Sequence, residues 1–231
     1  KVNFQNLLGD GSDLGMQFSY EIQQNPEGIA QAFLIAESFL ENGPAALILG
    51  DNLYHGSDLV KQLSESNNNL IESTILACPV SDPQRYGVVT FDKDGKVLDI
   101  EEKPNNPKSN YAVTGLYFYD KSIVEKAKGI KPSNRNELEI SDINKLYLAE
   151  KTLNTQIMGR GTAWFDTGTC NSLHEASTFI YTLESRLGLK VGCPEEIAWR
   201  NKWISDDDLY ALSIPLRKSG YGDYLIRLIN N

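Results

Sequence analysis

The first eighty residues alternate between short apolar segments and segments with helical periodicity. Residues 17–23 alternate loosely and predict a strand, and apolar residues then recur at helical spacing over 26–40. The unbroken apolar run 45–49 is typical of a strand that is buried on both faces. A helix over 58–66 and a buried strand over 74–80 follow. This strand–helix–strand–helix–strand order predicts a mostly parallel sheet.

The middle of the chain predicts a hairpin followed by further alternating elements. Asp94-Gly95 separates the segments YGVVTFD and KVLDIEEK, and this dipeptide favours a tight turn between two antiparallel strands. The remaining predicted elements are a strand over 114–120, short helices near 121–128 and 141–150, and a strand over 153–159.

Beyond residue 170 the pattern is helical only. Apolar residues recur on one helical face over 173–187, and Ser205 followed by three aspartates is typical of a capped helix start. We therefore predict an α/β core over 1–170, with a mostly parallel sheet flanked by helices. A helical appendage over 171–231 is expected to pack on that core, because about sixty residues is close to the smallest size that folds alone.

Composition and charge exclude several classes of function. The formal charge of −9 argues against a nucleic-acid-binding surface, and no apolar run approaches the length of a membrane span. The N-terminus lacks the apolar stretch of a secretory signal. The three cysteines form no CxxC pair and predict reduced thiols in a cytoplasmic protein. With only two histidines, a histidine-rich zinc site or a histidine-based triad is not expected.

Two carboxylates are the main candidates for chemistry. Asp51 follows the apolar run ALILG, and Asp166 follows the aromatic pair in AWFD. In an open α/β sheet, ligands bind outside the carboxyl ends of the strands, so both side chains are expected at the ligand-binding edge. Carboxylate oxygens suit Mg²⁺ and the phosphates that it carries. Either aspartate alone is also a common turn residue.

Other segments carry candidate ligand contacts, each with an ordinary structural alternative. Residues 23–32 join a strand to a helix start, where Gly28 would permit close approach of a ligand, or they form a simple turn. Lys103 lies at the end of a predicted hairpin strand, where it either binds a phosphate or is an ordinary solvated lysine. Arg135 is a second phosphate clamp or a solvated loop charge. Trp164 walls a sugar pocket or belongs to the core.

Taken in order, several segments resemble the sugar-1-phosphate nucleotidylyltransferases, and within that family the glucose-1-phosphate thymidylyltransferases. They are QQNPEGIAQA, LGDN, DPQRYGVV, EEKP, SNYAVTGLYFYD, ELEISDIN and AWFDTGT, with GLKVGCPEEIAWR in the helical tail. The resemblance implies a nucleotide-diphospho-sugar transferase fold and a Mg²⁺-dependent reaction. In that reaction glucose 1-phosphate attacks the α-phosphate of dTTP, giving dTDP-glucose and pyrophosphate as the first step of dTDP-rhamnose synthesis.

The resemblance also implies roles for residues of this chain. Asp51 and Asp166 hold Mg²⁺, and they form the catalytic set together with Lys103 and Arg135, which contact the sugar phosphate. The thymidine nucleotide is bound by Gln23, Pro26 and Gly28, with Gln23 and Gly28 against the base. The glucose is surrounded by Tyr86, Gly87, Glu102, Val113 and Trp164.

The family has a second site at a subunit contact, where dTDP-rhamnose inhibits. Gly56, Arg160 and Glu196 fall on matching positions, and the family suggests a homotetramer. A histidine usually follows the glycine that Gly56 matches, whereas Ser57 stands there in this chain. That departure predicts altered affinity for the effector.

The largest departure from the family pattern is at the front of the chain. Family members open with a strand and the phosphate-binding loop GGxGTRLxPxT, and neither occurs in this sequence. We therefore expect a fragment, or a protein whose N-terminal part is not included and which is inactive without it. Two other functions stay open: a non-catalytic nucleotide-sugar-binding or regulatory homologue, and a uridylyl- or adenylyltransferase of the same fold.

Overall fold

The computed structural model of the protein describes residues 1–68 and 71–230. Among these residues the strands are β1 (Ala45–Ile48), β2 (Asn52–His55), β3 (Ser73–Pro79), β4 (Gly87–Phe91), β5 (Val97–Glu102), β6 (Tyr111–Tyr119), β7 (Leu153–Ile157) and β8 (Ala163–Asp166). The α-helices are α1 (Val2–Leu8), α2 (Gln31–Ile35), α3 (Glu37–Leu40), α4 (Leu59–Asn68), α5 (Ile123–Gly129), α6 (Ile140–Glu150), α7 (Cys170–Leu187), α8 (Pro194–Arg200), α9 (Asp206–Ser213) and α10 (Tyr221–Asn230).

The main sheet is mixed rather than mostly parallel. Its strand order is β5-β4-β6-β3-β7, with β1 paired to β6 beside β4. Among the described strands only β3 and β7 pair in parallel, and the other pairs are antiparallel. The α/β class is thus confirmed, whereas the predicted parallel pairing is wrong. β1 and β3 do run in the same direction, as their helical connection requires, but the reversed strand β6 lies between them.

Side chains on both faces of the central strands are buried, which explains why the sequences of β3 and β6 do not alternate between apolar and polar residues. Alternate residues of a strand point to opposite faces. Ile75 and Tyr117 belong to a core cluster shared with α5 and α6, whereas Leu76 and Phe118 belong to a second cluster that contacts α4. The main sheet therefore separates two apolar layers, each covered by helices.

A separate two-stranded ribbon carries both candidate carboxylates. Strands β2 and β8 pair antiparallel, with Asn52 opposite Asp166 and Tyr54 opposite Trp164. A strand that ends at Asp166 was expected in the same sheet as the strand before Asp51, but β8 belongs to this separate ribbon, and no strand was predicted over 52–55. Each is only four residues long and its side chains are all half-buried, so neither the alternating nor the continuous apolar pattern of a strand is present.

The first forty-eight residues depart from the sequence predictions in three places. Residues 17–23 form no strand, because Phe18 donates its backbone N–H to Asp10 and the segment turns back on the loop that follows α1. The predicted helix over 26–40 begins later, as α2 and α3, since Gly28 has a φ of +105° that no α-helix permits. In β1, Ile48 is 58% exposed rather than buried.

The chain divides into two compact units, of which one runs from Gln23 to Tyr181 and contains both sheets. The other combines Lys1–Ile22 with the chain from Thr182. This division differs from the predicted boundary at residue 170, because it falls within α7 and assigns the first residues to the helical unit. The packing of the helical part on the core stays a prediction.

The helical unit has its own apolar core, in which Leu209 and Leu225 are fully buried. The predicted cap at the start of α9 is confirmed: Ser205 Oγ accepts the backbone N–H of Asp208, and the Asp208 carboxylate accepts the N–H of Ser205. None of the helices that the structure describes is both long and apolar enough to cross a bilayer.

Candidate active site

Asp51 and Asp166 are brought together by the β2–β8 ribbon. Asp51 immediately precedes β2, and Asp166 is the last residue of β8. Thr167 then ties the two ends to each other, because its backbone N–H and its hydroxyl donate to the Asp51 carbonyl oxygen at 2.8 and 2.7 Å. The aspartates that lie 115 positions apart in sequence are therefore neighbours in space.

The two carboxylates converge on the space beside Gly168. A Cβ atom at this position would lie 3.0 Å from Oδ1 of Asp166 and 3.8 Å from Oδ2 of Asp51. The glycine leaves that space free, and its N–H donates to Asp166 Oδ1 at 3.0 Å. Within residues 1–68 and 71–230, no group of three or more His, Cys, Asp or Glu side chains could hold a metal. Two carboxylates fit Mg²⁺ nonetheless, because it usually keeps several waters and adds substrate phosphates to one or two protein ligands.

A cleft of about 160 Å³ opens next to the carboxylates, and it gathers most of the predicted substrate contacts. Part of its lining is apolar, as expected for a site that buries a small organic ligand. The predicted site residues that line it are Asp51, Tyr86, Gly87, Glu102, Lys103, Val113, Trp164 and Asp166.

One wall of the cleft is aromatic and is connected to the carboxylates by hydrogen bonds. The rings of Tyr86 and Trp164 lie 4.9 Å apart between centroids. Trp164 Nε1 donates to Asn52 Oδ1 at 2.6 Å, and Asn52 Nδ2 donates to Asp51 Oδ1 at 2.8 Å. Trp164 is thus a wall residue rather than part of the apolar core clusters, and Asn52 couples its position to that of Asp51.

Part of the cleft lining is polar, and only some of its polar residues were predicted from the sequence. Burial raises the pKa of the Glu102 carboxyl. Ser141 and Asn144, one turn apart on α6, also line the cleft and are 2% and 1% exposed. The Ser141 hydroxyl lies within reach of the Glu102 carboxylate and lowers its pKa, against the larger effect of burial. Asn144 Oδ1 accepts from the Tyr119 hydroxyl at 2.7 Å. Ser141 and Asn144 lie in ELEISDIN, where their i, i+3 spacing could have indicated them.

Lys103 is held in an uncommon backbone conformation. Its φ is +42°, in the left-handed region that residues with a Cβ rarely adopt. Its N–H donates to the Tyr86 carbonyl oxygen at 3.0 Å, and Pro104 follows directly. Strain of this kind costs about 1–3 kcal/mol and persists where the surroundings impose it. With this strained backbone, Lys103 forms part of the cleft lining.

Arg135 lies beside the cleft rather than in its lining. Its guanidinium contacts three carboxylates: Glu137 at 2.7 Å, and Glu102 and Glu139 at 3.8 Å each. Ser133 donates its hydroxyl to Glu139 at 2.8 Å and so fixes one of these partners. A role for Arg135 in contacting a sugar phosphate stays a prediction.

The predicted base-binding residues also lie outside this lining. Gln23 Nε2 donates to the Gly28 carbonyl oxygen at 3.1 Å and to Gln31 Oε1 at 2.5 Å. Pro26 precedes the turn, and Gly28 approaches the backbone of Leu138 rather than an open ligand space. The structural reason for a glycine at this position is therefore its contact with Leu138. The expected contact of these residues with a base remains untested.

The predicted effector residues occupy two places. Gly56 follows β2 and packs against Thr162, and Arg160 lies in the turn before β8. Glu196 belongs to the helical unit, where it accepts hydrogen bonds from Arg200 Nε at 2.7 Å and from the Tyr224 hydroxyl. No described contact tests their predicted function.

Comparison with known proteins gives consistent matches. The family described as nucleotidyl transferase matches residues 1–182. A glucose-1-phosphate thymidylyltransferase of Neisseria meningitidis is 49% identical over 99% of this chain and 79% of its own length. One from Mycolicibacterium smegmatis is 50% identical over 98% of this chain and 78% of its own length.

Solved structures with the same fold agree with these sequence matches. A Bacillus anthracis protein assigned as a glucose-1-phosphate thymidylyltransferase aligns with a TM-score of 0.69 and 40% identity, over 77% of this chain and 71% of its own. A UDP-glucose pyrophosphorylase in complex with UDP-glucose aligns with a TM-score of 0.66 and 27% identity, over 79% of this chain and 73% of its own.

Proposed function

Because this chain belongs to the nucleotidyl transferase family, we propose that it transfers a thymidylyl group from dTTP to α-D-glucose 1-phosphate. The products are dTDP-glucose and pyrophosphate. The observation that carries the proposal is an identity of about 50% to thymidylyltransferases over nearly the whole chain. The arrangement of the cleft, with converging carboxylates next to an aromatic wall and a polar side, supports it.

The reaction requires two phosphate-bearing anions to approach each other, so charge neutralisation and positioning dominate. Asp51 and Asp166 would hold Mg²⁺, which when bound supplies positive charge at the nucleotide phosphates. Lys103 would place an ammonium against the phosphate of glucose 1-phosphate. Since the attacking group is the sugar phosphate itself, no covalent protein nucleophile is required.

The cleft offers a matched set of groups for a hexose. Tyr86 and Trp164 add aromatic surface to the lining, which suits the apolar face of a sugar. The polar groups in the lining are the carboxylate of Glu102, the hydroxyl of Ser141 and the side-chain amide of Asn144, which can exchange hydrogen bonds with the hydroxyl groups of a sugar. Buried polar groups of this kind discriminate strongly, because a ligand that lacks the complementary hydroxyl leaves them unpaired.

The proposed function is tested by pyrophosphate release from this chain with glucose 1-phosphate, Mg²⁺ and each of dTTP, UTP, ATP and CTP in turn. Release that is fastest with dTTP supports the proposal. Release that is fastest with UTP favours a uridylyltransferase, as the similarity to a UDP-glucose pyrophosphorylase would allow. No release with any of the four, from a folded sample, contradicts catalysis by this chain and favours a nucleotide-sugar-binding homologue.

Replacing Lys103 with alanine should weaken the binding of glucose 1-phosphate far more than the binding of dTTP. Alanine also has a Cβ, so the cost of φ +42° is nearly unchanged and the substitution removes mainly the ammonium. Loss of one charge-assisted phosphate contact predicts an increase of about tenfold or more in KM for glucose 1-phosphate, and of less than about twofold for dTTP. Lys108→Ala, which removes a surface ion pair to Asp99 and Glu101, is the control. An equal increase in both KM values would refute the assigned role.

We also propose the finer features that the family suggests. The product would enter dTDP-L-rhamnose synthesis in the cytoplasm, and the protein would assemble as a homotetramer. dTDP-rhamnose would inhibit through Gly56, Arg160 and Glu196. Light scattering tests the assembly, and inhibition of pyrophosphate release by dTDP-rhamnose tests the effector site.

A further inference from the structure

Arg85 is a cationic residue of the cleft to which no role has yet been assigned. It lies at the end of a single 3₁₀ turn (Pro83–Arg85) that leads into β4, and it lines the cleft together with Lys103. Three carboxylates share that lining, those of Asp51, Glu102 and Asp166. The cleft therefore has one more negative than positive side chain before any ligand binds.

The guanidinium of Arg85 bridges two carboxylates on one side of the cleft. Its Nη1 atom donates to Asp82 Oδ2 at 3.0 Å, and its Nη2 atom lies 3.7 Å from Asp166 Oδ2. The hydrogen bond to Asp82 raises the pKa of Arg85, so the guanidinium stays charged. Its central carbon lies 5.2 Å from the centroid of the Tyr86 ring, which supports the planar group from one face.

Arg85 interacts with Asp166 through charge and does not fix the orientation of the Asp166 carboxylate. At 3.7 Å their contact is longer than a hydrogen bond, whereas Asp166 Oδ1 is already fixed by the N–H of Gly168 at 3.0 Å. The Arg85 side chain is 40% exposed, and its hydrogen bond to Asp82 holds one end of the guanidinium. Arg85 thus acts as a counter-ion of Asp166.

We propose that Arg85 is a phosphate-binding residue of this cleft. In the empty cleft its guanidinium neutralises Asp166. When a divalent cation binds at the carboxylates, the guanidinium is repelled from them and pairs instead with a phosphate oxygen of the nucleotide sugar. This inference rests on the proposed function, because it takes the phosphates of that ligand as the partner.

The proposal predicts effects of opposite sign on cation and anion binding. Replacing Arg85 with glutamine removes a positive charge next to the carboxylates, so a divalent cation should bind more tightly to the chain without substrate. The same change removes a phosphate partner, so the nucleotide sugar should bind more weakly. If Arg85 only supported the local structure, its replacement would weaken the binding of both ligands.

The experiment measures Mn²⁺ affinity by electron paramagnetic resonance and dTDP-glucose affinity by calorimetry at saturating Mg²⁺, both at low ionic strength. For Arg85→Gln we expect Mn²⁺ affinity to rise about three- to tenfold, as one charge a few ångströms away predicts. The dTDP-glucose affinity should fall about tenfold. Lys93→Gln removes the same charge from the exposed β4–β5 turn and should change neither affinity by more than about twofold.

Unchanged or weaker Mn²⁺ binding in Arg85→Gln would overturn the counter-ion role, and unchanged dTDP-glucose binding would overturn the phosphate contact. Arg85→Lys retains the charge and should restore the Mn²⁺ affinity of the original chain. If the original chain itself binds no dTDP-glucose, the proposed function fails and the phosphate contact fails with it. The Mn²⁺ measurement still decides the counter-ion role, because it needs no nucleotide.

Discussion

Asp166→Asn is expected to lower the Mn²⁺ affinity of the chain by at least about a hundredfold and to abolish pyrophosphate release, while the fold is retained. An asparagine oxygen can still accept the N–H of Gly168, which Asp166 Oδ1 accepts at 3.0 Å, so the local backbone is supported. The substitution removes the charge of one of the two carboxylates that converge on the space beside Gly168, and hard cations depend on such charge.

Electron paramagnetic resonance titration with Mn²⁺ measures this effect without requiring turnover. Asp94→Asn is a matched control, because it removes the same charge from the β4–β5 turn, where Asn-Gly is as favourable as Asp-Gly. Unchanged Mn²⁺ affinity in Asp166→Asn would exclude Asp166 from the cation site.

Gly28→Ala is expected to destabilise the unit that contains both sheets by about 3 kcal/mol or more. Two effects combine at this position. A residue with a Cβ is strained at φ +105°, and the added atom would lie 2.4 Å from the Leu138 carbonyl oxygen and 2.5 Å from its nitrogen. Relief of that overlap would break the hydrogen bonds that Leu138 makes with Glu27 and Ala30, at 2.7 and 3.2 Å.

Thermal unfolding followed by circular dichroism measures this loss, which corresponds to a decrease in Tm of about 6–12 °C. Gly95→Ala separates the two effects, because Gly95 has a φ of +81° and no atom within 4 Å of the added Cβ. If Gly28→Ala lowers Tm no more than Gly95→Ala does, the contact with Leu138 has no energetic weight and the structural reason given for Gly28 is wrong.

The shared direction of β1 and β3 could be predicted from the sequence, whereas the strand that lies between them could not. The helical connection between β1 and β3 requires that both run the same way, and they do. The sequence does not indicate that β6 pairs with both of them, because the buried segment 111–119 could form a central strand in either direction. Pairing depends on contacts between distant segments, which local periodicity does not encode.

The candidate site shows the same limit at the level of single residues. Asp51 and Asp166 could be selected because each follows a short apolar or aromatic segment. Arg85 could not be selected in this way, because nothing in the sequence around Pro83 distinguishes this arginine from a solvated surface residue. Its position in the cleft becomes evident only when Asp82, Tyr86 and Asp166 are seen around it.

The most direct test of the central claim is calorimetric titration of this chain with dTDP-glucose, in the presence of Mg²⁺ and again in the presence of EDTA. If Asp51 and Asp166 form a cation-dependent nucleotide-sugar site, one ligand should bind per chain, at least about tenfold more tightly with Mg²⁺ than with EDTA. Binding that is equally strong in EDTA, or no binding in either condition, would contradict this account of the site.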